Sequence, residues 1–259
     1  MRLEKPIKLS VIIPIFNEID TVSEVLQTLA ELRIEGIAIE LILVESNSDD
    51  GSRDAVLKFA AGHEAVVLLE DQPKGKGHAV RAGLKRASGQ IVLIQDADLE
   101  YDIADYDKLL EPIISGETTF VLGTRTKQGW QVRTMPGERF ASITMNIGHW
   151  ILTGFFNMLY RTKLRDPFTM YKVVLLEAVR PLEFECDRFD FDWELVAKLV
   201  RTGHIPTEVP VSYSARGFTS GKKVRPFRDP LQWIWAALKF RIVRIELDGN
   251  NEAVFRKDR

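Results

Sequence analysis

The chain has 259 residues, 45% of them hydrophobic and 28% charged, with a formal net charge of −2. This is the composition of a globular protein with one large core; it excludes a disordered chain, and one domain with elaborations is expected rather than two equal ones. A single cysteine, Cys186, excludes an internal disulfide framework and a thiolate metal site and suits a reducing cytosol. The predicted elements begin with a continuous apolar strand, Leu9–Ile15, that runs into Phe16-Asn17-Glu18. A helix follows on the stripe Val22, Val25, Leu26, Leu29 and Leu32, with Thr21 and Glu24 at capping-box spacing. A second strand, Ile39–Val44, opens into Glu45-Ser46-Asn47-Ser48-Asp49-Asp50-Gly51-Ser52, whose small polar residues start a helix through Ala55, Val56 and Phe59. A third strand spans Ala65–Leu69. Lys74-Gly75-Lys76-Gly77 then leads into a short helix near 78–87, and Ile91–Ile94 is the fourth strand. Tyr101–Ile114 reads as a helix and Thr119–Gly123 as a fifth strand.

Repeated strand-helix-strand units predict an α/β fold with a mostly parallel sheet and helices on both faces. The second half is less regular. Residues 124–140 are polar and Gly-containing, Ser142–Tyr160 is an aromatic-rich helical segment, and Asp187–Glu194 precedes a helix through Leu195, Leu199 and Val200. Ile205–Tyr213 has the prolines of an edge strand. The organisation expected is a main domain over 1–225 and a basic, aromatic, amphipathic segment over 226–259. Residues 216–259 carry 11 Lys/Arg against 5 Asp/Glu, a surplus of +6 that leaves −8 for residues 1–215. Such a segment is attracted to phosphates or anionic lipid. Neither a signal peptide nor an apolar stretch of about 18 residues is visible, so a cytoplasmic protein is expected; Trp233, Ile234, Trp235, Leu238, Phe240 and Ile242, interleaved with Lys239, Arg241 and Arg244, form a helix that either packs over the domain or lies in a membrane interface and brings the protein to the membrane peripherally.

The chemistry concentrates after the strands. In Asp96-Ala97-Asp98-Leu99-Glu100 an extended backbone would turn all three carboxylates to one side. Three such groups repel one another unless a cation compensates, and a hard divalent ion that also holds a diphosphate is the natural one. Ligands of parallel sheets sit at the carboxyl ends of strands, where Glu18, Glu45, Lys76 and the Asp96–Glu100 cluster all fall. Gly75-Lys76-Gly77 is too short for a Walker loop and reads as a turn at the ligand pocket. His78, His149 and His204 lack ligand-like spacing and read as structural or surface residues.

The ordered segments SVIIPIFNE, VESNSDDGS, KGKGHAVRAGL, QDADLEYD, LGTR, DPFTMYK, RFDFDWEL and EVPVSYSARGFTSGKK resemble inverting family-2 glycosyltransferases of the A fold. The likeness is greatest to polyprenyl-phosphate (dolichol-phosphate-type) mannosyl- and glucosyltransferases and spans residue 9 to about 245. It implies a single A-fold domain with a Rossmann-like nucleotide-binding half. Pro14, Asn17, Glu18, Glu45 and Lys76 would line the nucleotide pocket. Asp96 would face ribose and diphosphate, and Asp96, Asp98 and Glu100 would hold Mg²⁺ or Mn²⁺. Most relatives carry Gln where this chain has Glu100, and a pair of acids where it has Glu45-Ser46.

The implied reaction transfers a hexose from a UDP- or GDP-linked donor to a polyprenyl phosphate at the cytosolic membrane face. Asp96, Asp98, Arg125 and Asp192 would be its catalytic residues. A lipid phosphate is already ionised at pH 7, so such an acceptor needs cations to hold it beside the donor. Arg125, Arg139, Arg216, Lys222 and Lys223 suit that task, and the DPFTMYK likeness adds Asp166 on the acceptor side. The alternative is a saccharide or other hydroxyl acceptor, with Asp192 as general base. A sugar nucleotidyltransferase would need a Gly-rich basic loop after the first strand, which this chain lacks; a non-catalytic sugar-nucleotide sensor would not need all three carboxylates. No nucleic-acid partner is expected.

Overall fold

A computed structural model describes residue 3 and residues 6–126, 132–134, 137–215 and 228–245. They form β1 (Ile7–Ile15), α1 (Val22–Glu31), β2 (Ile37–Glu45), α2 (Ser52–Gly62), β3 (Val66–Leu69), α3 (Lys76–Leu84), β4 (Ile91–Ile94), a 3-10 turn (Ile103–Asp105), α4 (Tyr106–Ile114), β5 (Phe120–Thr124), α5 (Arg139–Tyr160), β6 (Lys172–Leu175), α6 (Leu176–Val179), α7 (Phe191–Arg201), β7 (Thr207–Pro210) and α8 (Arg228–Ile242). The seven strands make one sheet in the order β3-β2-β1-β4-β6-β5-β7. All neighbouring pairs are parallel except those of β6, which runs antiparallel to both β4 and β5.

β1 and β4 are central and apolar on both faces, as expected of strands covered by helices on each side, and Leu9, Val11, Ile12, Ile91 and Leu93 are fully buried. Chain order reverses beside β1, which leaves a crevice at the carboxyl ends of β1 and β4. The reversed β6 brings its own start to that same edge, with Lys172 in register with Ile94.

Several expectations change. Thr21 caps α1 by position but makes no side-chain cap bond; its hydroxyl donates to the Ala97 carbonyl at 2.8 Å and ties α1 to the loop after β4. The helix expected to start at Leu195 starts at Phe191, so Asp192 and Glu194 lie in the first turn of α7, where the helix dipole favours acids. β6 was not expected at all.

The short helix near 78–87 begins earlier, at Lys76. Gly75 has φ 112°, a conformation that favours glycine. At Gly77 a Cβ would lie 2.6 Å from the Cys186 carbonyl oxygen, so α3 docks directly beneath the chain leading into α7. That contact carries Lys76 to Asp192. No helix among the described residues is long and apolar enough to cross a membrane.

Candidate active site

The first wall of the site is a knot between the loops after β1 and β2. Asn17, in the left-handed region with φ 49°, exchanges two bonds with Asp49: Asn17 Nδ2 donates to Oδ1 at 2.8 Å, and the Asp49 amide returns to Asn17 Oδ1 at 3.1 Å. The amides of Asn17 and Glu18 donate to the hydroxyls of Ser48 and Ser52. Pro14, next to the end of β1, is half-buried in register with Val44.

Glu45 is 0% exposed. Its oxygens accept the amides of Ser48 at 2.7 Å and Asn47 at 3.2 Å, and Arg53 Nε pairs with it. Burial works against its charge, but the Ser48 donors and Arg53 overcome this and hold the carboxyl below its ordinary range. Glu45, expected to line the nucleotide pocket, uses its carboxylate to shape the loop after β2.

The acidic segment after β4 is a bend and turn, not an extended strand, which corrects the expected alternation. Asp98 Oδ1 accepts the Glu100 amide at 3.2 Å, the self-closing habit of an aspartate in a loop. The three side chains also have different partners. Asp96 pairs with Lys76 Nζ, whereas Glu100 Oε2 accepts the Tyr213 hydroxyl at 2.9 Å. Beneath them, buried Gln95 donates to the Asp96 carbonyl and accepts from Tyr106.

Lys76 is the hub of this half. Burial alone would lower its pKa, but Asp96, Asp192 and Asp98 together push it above the usual lysine range. Asp192 is in turn bonded by Lys172 Nζ at 2.8 Å. Lys172 is 0% exposed and also donates to the Thr169 carbonyl; burial, with Lys76 nearby, pulls its pKa down despite Asp192. Asp96, Asp98 and Asp192 thus share one field with two lysines.

The second half lies at the end of β5. Arg125 is buried and gives Asp166 three bonds: its amide at 3.0 Å, Nε at 2.8 Å and Nη2 at 2.7 Å. Burial opposes the charge of Asp166, and the Arg125 guanidinium overcomes it, holding the carboxyl at about 2. The guanidinium also stacks over the Tyr213 ring, 5.3 Å from its centroid. Arg125 is therefore a fork with Nε and Nη2 already engaged by Asp166.

Arg139 is exposed at the start of α5; Arg216, Lys222 and Lys223 lie outside the described residues. The three histidines are structural. His78 pairs with Glu70, buried His149 bonds the Arg165 carbonyl at 3.0 Å, and His204 bonds Thr119.

Sequence reasoning missed Lys172, Thr169 and Tyr213. The signal for Lys172 was the apolar run Val173-Val174-Leu175-Leu176 directly after it, which would have marked a buried strand beginning at a lysine.

A divalent cation fits this donor set only in part. Among the described residues no group of three or more His, Cys, Asp or Glu is arranged to hold a metal ion. Hard oxygens anchored at Asp98 do suit Mg²⁺, which is commonly bound through one or two carboxylates with substrate phosphates completing its shell.

The profile of the glycosyl transferase family 2 domain matches residues 10–176. The chain is 25% identical over 93% of its length to a dolichol-phosphate mannosyltransferase of Pyrococcus furiosus, spanning 68% of that protein. It is 28% identical over 80% of its length to a dolichyl-phosphate beta-glucosyltransferase of Trichomonas vaginalis, spanning 65% of it. In fold it resembles glucosyl-3-phosphoglycerate synthase from Mycobacterium tuberculosis, solved with Mn²⁺, UDP and glucosyl-3-phosphoglycerate, with a TM-score of 0.66 at 20% identity, covering 91% of this chain and 80% of that one.

Proposed function

Because this chain belongs to glycosyl transferase family 2, we propose that it transfers a hexose from a UDP- or GDP-linked donor to a polyprenyl phosphate at the cytosolic face of a membrane. The observation that carries this reading is the division of one sheet edge. The carboxylates Asp96, Asp98 and Asp192 gather about Lys76 at the end of β4, and the guanidinium of Arg125 lies at the end of β5 beyond the reversed β6. An acidic half suits a cation-bound diphosphate, and a cationic half suits an anionic acceptor. The dolichol-phosphate names of the relatives support the same acceptor class.

In this reading Asp98 would anchor Mg²⁺ or Mn²⁺, and the ion would supply positive charge to offset that growing on the departing nucleoside diphosphate. Lys76, already drawn toward Asp96, supplies a second positive charge beside the diphosphate. The Asn17–Asp49 knot forms the wall against which the nucleoside rests. Asp166 fixes the orientation of the Arg125 guanidinium and balances its charge. An ionised phosphate acceptor arrives without a proton to remove, so the site needs orientation more than a base.

Two exposed apolar helix faces support the membrane location. On α5, Phe140 (80% exposed), Ile143, Ile147, Ile151 (66%) and Met158 follow one side of the helix. On α8, Leu231, Trp235 (68%), Leu238 and Ile242 do the same, beside Lys239 and Arg241. Such paired stripes with basic flanks suit an interface with anionic lipid.

A second reading, a hydroxyl acceptor deprotonated by Asp192, is favoured by the closeness of Asp192 to Lys76 on the donor side. Replacing Asp192 with Asn separates the two. Turnover should stay within roughly 10-fold of the parent for a phosphate acceptor, and should fall by about 10²–10⁴ if Asp192 is the base. The donor is tested by thermal shift with Mn²⁺ across UDP- and GDP-sugars. A nucleotide present at about 100 times its Kd adds ~2.7 kcal/mol of stability, several degrees in Tm. If no UDP or GDP species raised the Tm, the donor assignment would fall.

A further inference from the structure

Tyr213 touches both halves of the site. The chain after β7 runs beside the acidic segment that follows β4 and is stitched to it. The Ser214 amide donates to the Glu100 carbonyl at 2.8 Å, and Tyr101 and Tyr213 form an antiparallel bridge. The Ser212 amide is held by the Asp105 carboxylate, and the Val211 amide donates at 3.0 Å to the Thr124 carbonyl at the end of β5. A backbone pinned on both sides of Tyr213 fixes where its side chain goes. The ring packs against Tyr101, with centroids 5.0 Å apart, and against the Arg125 guanidinium, 5.3 Å from the ring centroid. The hydroxyl donates to Glu100 Oε2 at 2.9 Å. Tyr101 is buried and fastened in turn, its hydroxyl accepting the Met170 amide at 3.0 Å, so the Tyr213 ring rests on a fixed partner.

We propose that Tyr213 is a positioning residue for the transfer: its hydroxyl holds the Glu100 carboxylate ready for the cation that accompanies the donor diphosphate, and its ring holds Arg125 on the acceptor side. The proposal rests on the reading of the site given above and deepens it. A glutamate in a bend can take several rotamers, and a charge-assisted bond from a phenol with few torsions of its own selects one of them. Asp98 Oδ1 closes on the Glu100 amide, so a shift of Glu100 is also a shift of the turn that carries Asp98. Carboxylates that ligate a metal are themselves oriented by hydrogen bonds, and losing such a partner typically weakens metal binding by about 10–100-fold. The same side chain sets the spacing between the two halves. That spacing matters because a misplacement of about 1 Å between reacting groups costs on the order of 100-fold in rate.

The test is Mn²⁺ titration of the full chain, followed by electron paramagnetic resonance in the presence of UDP and of GDP. It compares the parent, Tyr213→Phe, Glu100→Ala and the double variant. Tyr213→Phe removes the hydroxyl and keeps the ring against Arg125. It should weaken Mn²⁺ binding at least ~10-fold, and should cost nothing further once residue 100 is alanine, because the hydroxyl acts through that carboxylate. Additive losses in the double variant, or unchanged Mn²⁺ affinity in Tyr213→Phe, would overturn the proposal. Tyr213→Leu separates the two contacts. It should lose Mn²⁺ affinity as Tyr213→Phe does and also bind farnesyl phosphate more weakly in isothermal titration, whereas Tyr213→Phe should bind it as the parent does. Equal farnesyl phosphate affinity in all three chains would overturn the role of the ring. A parent that bound farnesol as tightly as farnesyl phosphate would overturn the phosphate-acceptor reading and leave the Tyr213–Glu100 link to stand on the Mn²⁺ data. A parent that took up no Mn²⁺ with either nucleotide would overturn both. Circular dichroism melting of each variant identifies misfolding, and Tyr213→Phe, which removes one oxygen, keeps the comparison decisive if Tyr213→Leu melts early.

Discussion

His149 carries the clearest residue-scale prediction. Burial, aided by Arg125 and Arg133 and opposed by Asp166, pushes its pKa down to about 4, against an ordinary value of 6.5. The unfolded chain therefore takes up this proton first as pH falls. Stability due to His149 is full above about 6.5, declines between about 6.5 and 4, and is level below that window. A shift of this size corresponds to about 3 kcal/mol. Denaturant titrations at pH 7 and pH 4.5 should show that loss, and His149→Gln should flatten it. Asp166 acts lower on the scale: held at about 2, it stabilises above the ordinary carboxylate range and loses that contribution only as pH falls toward 2. Asp98→Asn should lower turnover by about 10²–10³ with the fold unchanged, the size typical of losing a group that supports transition-state charge. Mn²⁺ binding followed by electron paramagnetic resonance should weaken in parallel.

At the scale of elements, β6 joins the two halves of the site. Because it alone runs backwards, its first residue, Lys172, reaches the ligand edge and holds Asp192 from beneath. Lys172→Met would strand a mostly buried carboxylate, and removing one partner of such a pair typically costs about 3–5 kcal/mol. A chemical denaturation midpoint indistinguishable from the parent would refute this role. The parallel strands β1, β2 and β4 were legible in the sequence because a strand covered on both faces reads as an unbroken apolar run. The four residues of β6 were not, since they follow an irregular Asp166-Pro167 turn and open on a lysine that only tertiary pairing can bury. Likewise Asp192 reads as a loop residue until the docking of Gly77 beneath the chain before α7 is known.

Across the whole molecule, a positive C-terminal segment and a negative body were visible in the charge count, and the clustering of chemistry at strand ends followed from the fold class. What the sequence could not display was commitment. Arg125 and Glu45 looked available as recognition residues, yet each is buried and satisfied by partners distant in sequence or in the adjoining loop. The packing of α8 resolves in the same way. Trp233 stacks on Trp193 and the Tyr160 hydroxyl bonds the Ala237 carbonyl, so one face of the helix is core while Trp235 on the other faces outward. Sedimentation with vesicles rich in phosphatidylglycerol should capture the parent chain, and the double change Ile151→Glu, Trp235→Glu should release most of it at unchanged Tm. Capture equal to that of the parent would remove these helix faces from the account.

The proposed reaction is transfer to a lipid phosphate. It is tested most directly by incubating the chain and Mn²⁺ with labelled UDP- and GDP-hexoses, offering polyprenyl phosphate or the matching polyprenol, and counting label in the organic phase. Metal-dependent label is expected with polyprenyl phosphate and none with polyprenol. Label on polyprenol to the same extent, or no metal-dependent transfer from any of these donors, would contradict it.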